Sequence, residues 1–77
     1  MCLAIPGQIL EVIPGPHPLA LVDVSGVRRK VELALLEDPA APGEWVLIHA
    51  GFAMTRISEQ AAMEQLRLLT MMGEEPA

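Results

Sequence analysis

Short runs of β-forming residues fill about the first 50 positions, turn residues separate them, and no gap between them has room for a crossover helix. A single segment with helical spacing follows. Together these predict a mainly β fold: a small OB-like antiparallel β-barrel of about five strands followed by one C-terminal α-helix. The chain of 77 residues reads as one domain over residues 1–73, with the barrel at about 4–57, the helix at about 59–72 and a disordered tail at 74–77.

The first strand is expected at residues 8–13, with Ile9 and Glu11 on one face and Leu10 and Val12 on the other; Pro14-Gly15-Pro16-His17-Pro18 ends it. Residues 19–24 follow, with Ala20, Val22 and Val24 sharing a face. Ser25-Gly26 suits a tight hairpin turn. Residues 27–33 then alternate, placing Val27, Arg29, Val31 and Leu33 opposite Arg28, Lys30 and Glu32. The stretch 37–43, with Pro39, Pro42 and Gly43, is a loop. Residues 45–50 are apolar on both faces, which predicts a central strand; Gly51-Phe52 breaks or bulges it, and 53–57 form the last strand.

Ser58 is the expected N-cap, Glu59 complements the helix dipole, and Gly73 suits the position just past the end. Ala62, Leu66 and Leu69 make one apolar stripe. Leu68, Met71 and Met72 lie off that stripe, giving the helix more apolar surface than one barrel contact requires. Flexible methionines suit adaptable docking surfaces, so this face is a candidate for partner binding.

Hydrophobic residues make up 52% of the chain, more than so short a domain can bury, and exposed apolar patches mark protein contacts. The net charge is −5 and only Trp45 and Phe52 are aromatic, which argues against a nucleic-acid partner. No apolar run approaches the ~18 residues of a membrane span, and the start has no basic residues ahead of its apolar ones, so neither a membrane segment nor a signal peptide is expected. One cysteine allows no internal disulfide and fits a reducing cytoplasm.

The chemistry-bearing residues are few. Cys2 is the single thiol, and cysteine is small enough for removal of Met1, which leaves a thiol and an α-amine on one residue. His49 stands inside the apolar run Val46-Leu47-Ile48-His49-Ala50-Gly51-Phe52, where it is either a core residue bonded to backbone or a metal ligand. Sulfur and imidazole together suit iron, and two ligands leave positions open for a second protein. His17, between two prolines, reads as exposed, and Asp23 with Arg29 as a structural ion pair across the hairpin. No phosphate loop, nucleophile elbow or paired carboxylates appear, so the chain is poorly equipped as an enzyme.

The opening Met1-Cys2-Leu3-Ala4-Ile5-Pro6-Gly7-Gln8, the central Val22-Asp23-Val24 with Gly26, Arg29 and Val31, and the block Gly43-Glu44-Trp45-Val46-Leu47-Ile48-His49-Ala50-Gly51-Phe52-Ala53-Met54 resemble the HypC/HupF family of NiFe-hydrogenase maturation chaperones. Ser25 stands where some relatives carry a second cysteine. The resemblance implies a cytoplasmic chaperone that binds HypD, the iron–sulfur scaffold on which iron gains two cyanides and a carbon monoxide, and also binds the hydrogenase large-subunit precursor. It implies Cys2 and His49 as ligands of iron, held transiently as an Fe(CN)2CO unit shared with HypD. Cys2, Leu3, Pro6, Gly7, Gly51, Phe52, Leu68, Met71 and Met72 are the expected partner-binding residues, with Pro6-Gly7 as a corner fixing where the N-terminal arm leaves the barrel. The competing expectation is a purely protein-binding chaperone that holds the precursor open without touching iron.

Overall fold

Alternation and turn chemistry produce the elements in the predicted order. The computed structural model describes residues 4–71, the last three by backbone alone. Its strands are β1 (Ile5–Ile13), β2 (Leu19–Val24), β3 (Val27–Glu32), β4 (Trp45–His49) and β5 (Phe52–Ile57), and its helix is α1 (Glu59–Met71). The strands close a barrel in the order β1-β2-β3-β5-β4. All neighbours are antiparallel except β3 and β5, which meet in parallel at Glu32 and Phe52 alone. No helix among the described residues is long and apolar enough to cross a membrane.

Ala20, Val22 and Val24 of β2 are buried together, as their spacing requires, with Val31, Leu33, Val46 and Ala53 around them. Ser25 and Gly26 both take left-handed φ values, 50° and 88°, which is the backbone of a two-residue hairpin turn. Asp23 secures that turn by accepting a hydrogen bond from the Gly26 N–H at 2.8 Å. The expected Asp23–Arg29 ion pair is therefore absent: register sets Asp23 opposite Arg28, and its carboxylate serves the turn.

β1 departs from its expected pattern in two ways. It begins at Ile5, because Ile5, Pro6 and Gly7 pair with Ile48, Leu47 and Val46, so Pro6-Gly7 runs within the strand and makes no corner. Proline is tolerated there because β2 joins β1 only from Gln8, leaving one side of this stretch without a strand neighbour. A bulge between Ile9 and Glu11 then inserts one extra residue opposite β2. It turns Leu10 outward and brings Val12 onto the same core as Ile9, where strict alternation had opposed them.

β4 lies between β1 and β5, the central position its apolar faces predicted. Ala50 and Gly51, at φ 54° and 85°, form the hairpin turn, so β4 ends at His49 and β5 starts at Phe52, each one residue earlier than expected. Ser58 caps α1: its Oγ accepts the Ala61 N–H at 3.1 Å and its carbonyl accepts the Ala62 N–H at 3.0 Å. Ala62 is fully buried where α1 packs on β1 and β4. The expected helix end at Met72, the Gly73 cap and the tail at 74–77 lie outside the described residues.

The long connection between β3 and β4 is fastened by side chains. Arg56 of β5 donates to the Asp38 carbonyl at 2.8 Å and to the Pro39 carbonyl, and its Nε meets Glu44 Oε1 at 3.3 Å. That oxygen also accepts the Ala41 N–H at 2.8 Å. The Ala41 N–H chiefly holds the Glu44 carboxyl below its ordinary pKa; burial, the next largest effect, opposes it, and Arg56 lowers it further.

Candidate functional site: the open mouth of the barrel

A closed sheet hides its edges, but here closure between β3 and β5 rests on one residue of each strand, leaving residues 27–31 of β3 without a strand neighbour on that side among the described residues. The barrel opens there into a cleft of about 370 Å³. Val24 and Val31 are buried and Ile5 and Ile48 half-buried, giving it an apolar floor. Exposed Arg29 and Lys30 stand on one rim, and the β4–β5 turn, with His49, Ala50 and Gly51, on the other. The opening explains why Arg29, expected on an inward face, is exposed: it lines the mouth and not packed core. Val27, expected on the same face, is exposed beside the hairpin turn.

Gly7 lets the floor form. A Cβ at Gly7 would stand 2.6 Å from Ile48 Cδ1 and 3.2 Å from Val24 Cγ2, so only glycine allows both side chains to lie across β1. Pro6 is buried as well. Both were expected to meet a partner; both are buried and offer it almost no surface, and Gly7 shapes the mouth from within.

His49 closes β4 opposite Phe52 and is half-buried. No described residue hydrogen-bonds its imidazole, and among the described residues no buried side-chain nitrogen lacks a partner. Among the described residues, the backbone partner expected of a core histidine is not found. Ile48, its neighbour, pairs with Ile5, so the chain enters the barrel alongside His49. Cys2 and Leu3 lie outside the described residues. Covalent geometry nevertheless bounds Cys2 Cα to within about 11 Å of Ile5 Cα, since each residue spans at most ~3.6 Å.

Among the described residues no three His, Cys, Asp or Glu side chains converge to hold a metal ion. His49 is the one imidazole among the described residues that line the mouth. His17 is exposed in its bend, as expected. Gly51 is exposed in the turn and Phe52 half-buried beside it. Leu68 is 56% exposed on α1, and Met63 is 43% exposed on the same helix. Met71 is described by backbone only and Met72 not at all. The helix residues do not line the cleft, so the expected sites divide between two surfaces. Arg29 and Lys30 are the lining residues that sequence reasoning missed; the signal for Arg29 was a cation on the apolar phase of a strand, and Lys30, on the polar phase, gave none.

The HupF/HypC family matches this chain over residues 1–69. The chain is 51% identical over 77 residues to Frd operon uncharacterized protein C of Proteus vulgaris, covering 96% of this chain and 80% of the relative. It is 47% identical over 77 residues to hydrogenase maturation factor HypC of Rhodobacter capsulatus, with the same coverage. With hydrogenase maturation factor HybG of Escherichia coli it shares 45% identity over 75 residues, 94% of this chain and 92% of the relative.

Proposed function

The chain belongs to the HupF/HypC family, and from that premise we propose that it is a hydrogenase-maturation chaperone, not an enzyme, working in the cytoplasm. It binds HypD and the precursor of the NiFe-hydrogenase large subunit, and helps to assemble and deliver the Fe(CN)2CO unit as cargo. Cys2 supplies thiolate and His49 imidazole toward the iron. Thiolate is the form of cysteine that ligates, and an imidazole engaged by no backbone group among the described residues is a candidate second donor. So sparse a ligand set leaves coordination positions for the scaffold before transfer and for the recipient after it, so the cargo changes hands by ligand exchange.

The observation that carries this reading is the half-buried imidazole, without a hydrogen-bond partner among the described residues, at a mouth within chain reach of the only thiol. The test is anaerobic co-purification of the tagged chain with HypD, followed by infrared spectroscopy. Cyanide and carbon monoxide stretches are expected in the complex, absent from Cys2→Ala and weakened in His49→Ala, with circular dichroism unchanged. Undiminished stretches in Cys2→Ala overturn the role given to the thiol.

The purely protein-binding chaperone keeps one observation in its favour, the exposed Leu68 and Met63 on α1. It expects Leu68→Glu to weaken precursor capture while Cys2→Ala leaves capture unchanged. Capture that needs Cys2 and tolerates Leu68→Glu removes it.

A further inference from the structure

The β2–β3 hairpin determines which backbone groups of β3 remain unused. A two-residue turn makes the flanking Val24 and Val27 a hydrogen-bonded pair, so Val22 with Arg29 and Ala20 with Val31 are bonded pairs too. Asp23 with Arg28 and Leu21 with Lys30 are the alternating pairs that are not. The bond from the Leu33 N–H to the Pro18 carbonyl, at 3.0 Å, continues the same alternation. The N–H and C=O groups of Arg28, Lys30 and Glu32 therefore point away from β2. Glu32 bonds the Gly51 carbonyl at 2.9 Å, and β3 makes no other pairing with β5. Among the described residues nothing else pairs with this edge, so Arg28 and Lys30 have an unpaired strand edge beside the cleft.

The same stretch holds three of the five basic residues of an otherwise acidic chain, all exposed. Among the described residues none of the three is in an ion pair. Asp23, opposite Arg28, is committed to Gly26. Charge on an open edge also guards against strand-to-strand aggregation. A guard, however, needs no apolar cleft next to it, and here Val24, Val31, Ile5 and Ile48 floor one. A second copy does not fit, since pairing β3 with β3 sets like charges against each other. A nucleic acid does not fit either: the net charge is −5, and neither Trp45 nor Phe52 is an exposed stacking platform.

We propose that the open edge of β3 takes an extended acidic segment of a protein partner as an added strand. Its backbone bonds Arg28 and Lys30, its apolar side chains enter the cleft, and its carboxylates meet the Arg28-Arg29-Lys30 run. This docking needs neither iron nor Cys2, so it stands or fails separately from cargo binding.

The test uses the whole chain and a short fluorescein-labelled peptide of alternating glutamate and valine, followed by anisotropy and by amide chemical shifts. Saturable binding is expected, with the largest shifts at the Arg28 and Lys30 amides. The pair of substitutions Arg28→Glu and Lys30→Glu weakens it by about ten-fold or more, and added salt weakens it in the wild type. The same peptide N-methylated throughout, its charges intact, does not bind; this arm needs no variant and so no refolding control. The proposal is overturned by no saturable binding, by equal binding of the methylated peptide or of a lysine–valine peptide, or by tighter binding of single-stranded oligouridine.

Discussion

At Gly7 a missing side chain sets the geometry of the mouth. Ile48 Cδ1 would lie 2.6 Å from a Cβ there, but that methyl ends a flexible, half-buried side chain and can swing aside. Val24, at 3.2 Å and buried, has less freedom. Gly7→Ala is therefore expected to cost about 1 kcal/mol, the low end of overpacking, and to push the Ile48 δ-methyl over the cleft beside His49. A urea midpoint lowered at constant slope, with a displaced Ile48 methyl resonance, is the expected result; an unchanged midpoint contradicts the close approach. Sequence reading identified His49 because a polar residue inside an apolar strand stands out. It misread Pro6-Gly7, because two strand breakers in a row look like a corner until pairing with β4 is known. Arg29 was noticed for its phase and then assigned to Asp23, since nothing local shows that the inward face of β3 opens into a mouth.

Elements defined by local chemistry were the most legible. Ser58 followed by Glu59 marks a helix start, and the structure places the capping oxygen on the Ala61 N–H. Ser58→Ala leaves that N–H to water and is expected to cost about 1 kcal/mol, with the first turn of α1 fraying. Thermal unfolding followed by circular dichroism checks it; Ser58→Asp retains an acceptor and restores most of the loss, which separates the cap from any packing role. The Ser25-Gly26 hairpin turn was equally readable, because it places a glycine where φ must be positive; the Ala50-Gly51 turn was read one residue late, as a break at Gly51-Phe52, because Ala50 continues the apolar run of β4. The bulge in β1 was not, since one extra residue between Ile9 and Glu11 changes the facing of Leu10 without leaving a composition signal. The end of β3 was overextended for a related reason: its closing partner, Phe52, lies in a distant strand.

Over the whole molecule, the barrel is held shut by few contacts: one β3–β5 bridge and, along the connection from β3 to β4, the fastening of Arg56 to Asp38, Pro39 and Glu44. The fastening ties folding to pH through Glu44. Its pKa is lowered in the fold, by the Ala41 N–H first and by Arg56 next, so the native state binds fewer protons than the unfolded chain as acid is added. The stabilisation is then complete above the unfolded-state pKa and disappears as pH falls through the lower, folded value. Side chains of Arg56 and Glu44 are 30% and 38% exposed, so solvent screening limits the charge contribution to under about 1 kcal/mol. Glu44→Gln keeps an acceptor for the Ala41 N–H and removes only the charge. Urea unfolding at a series of pH values should show the variant less stable near neutrality and the two curves converging in acid. Concentrated salt should narrow the neutral gap by screening the pair, without moving the acid limit where the two proteins meet. Curves that stay parallel across the whole range mean that Glu44 acts through its hydrogen bond alone, and that its charge plays no part in fastening the barrel.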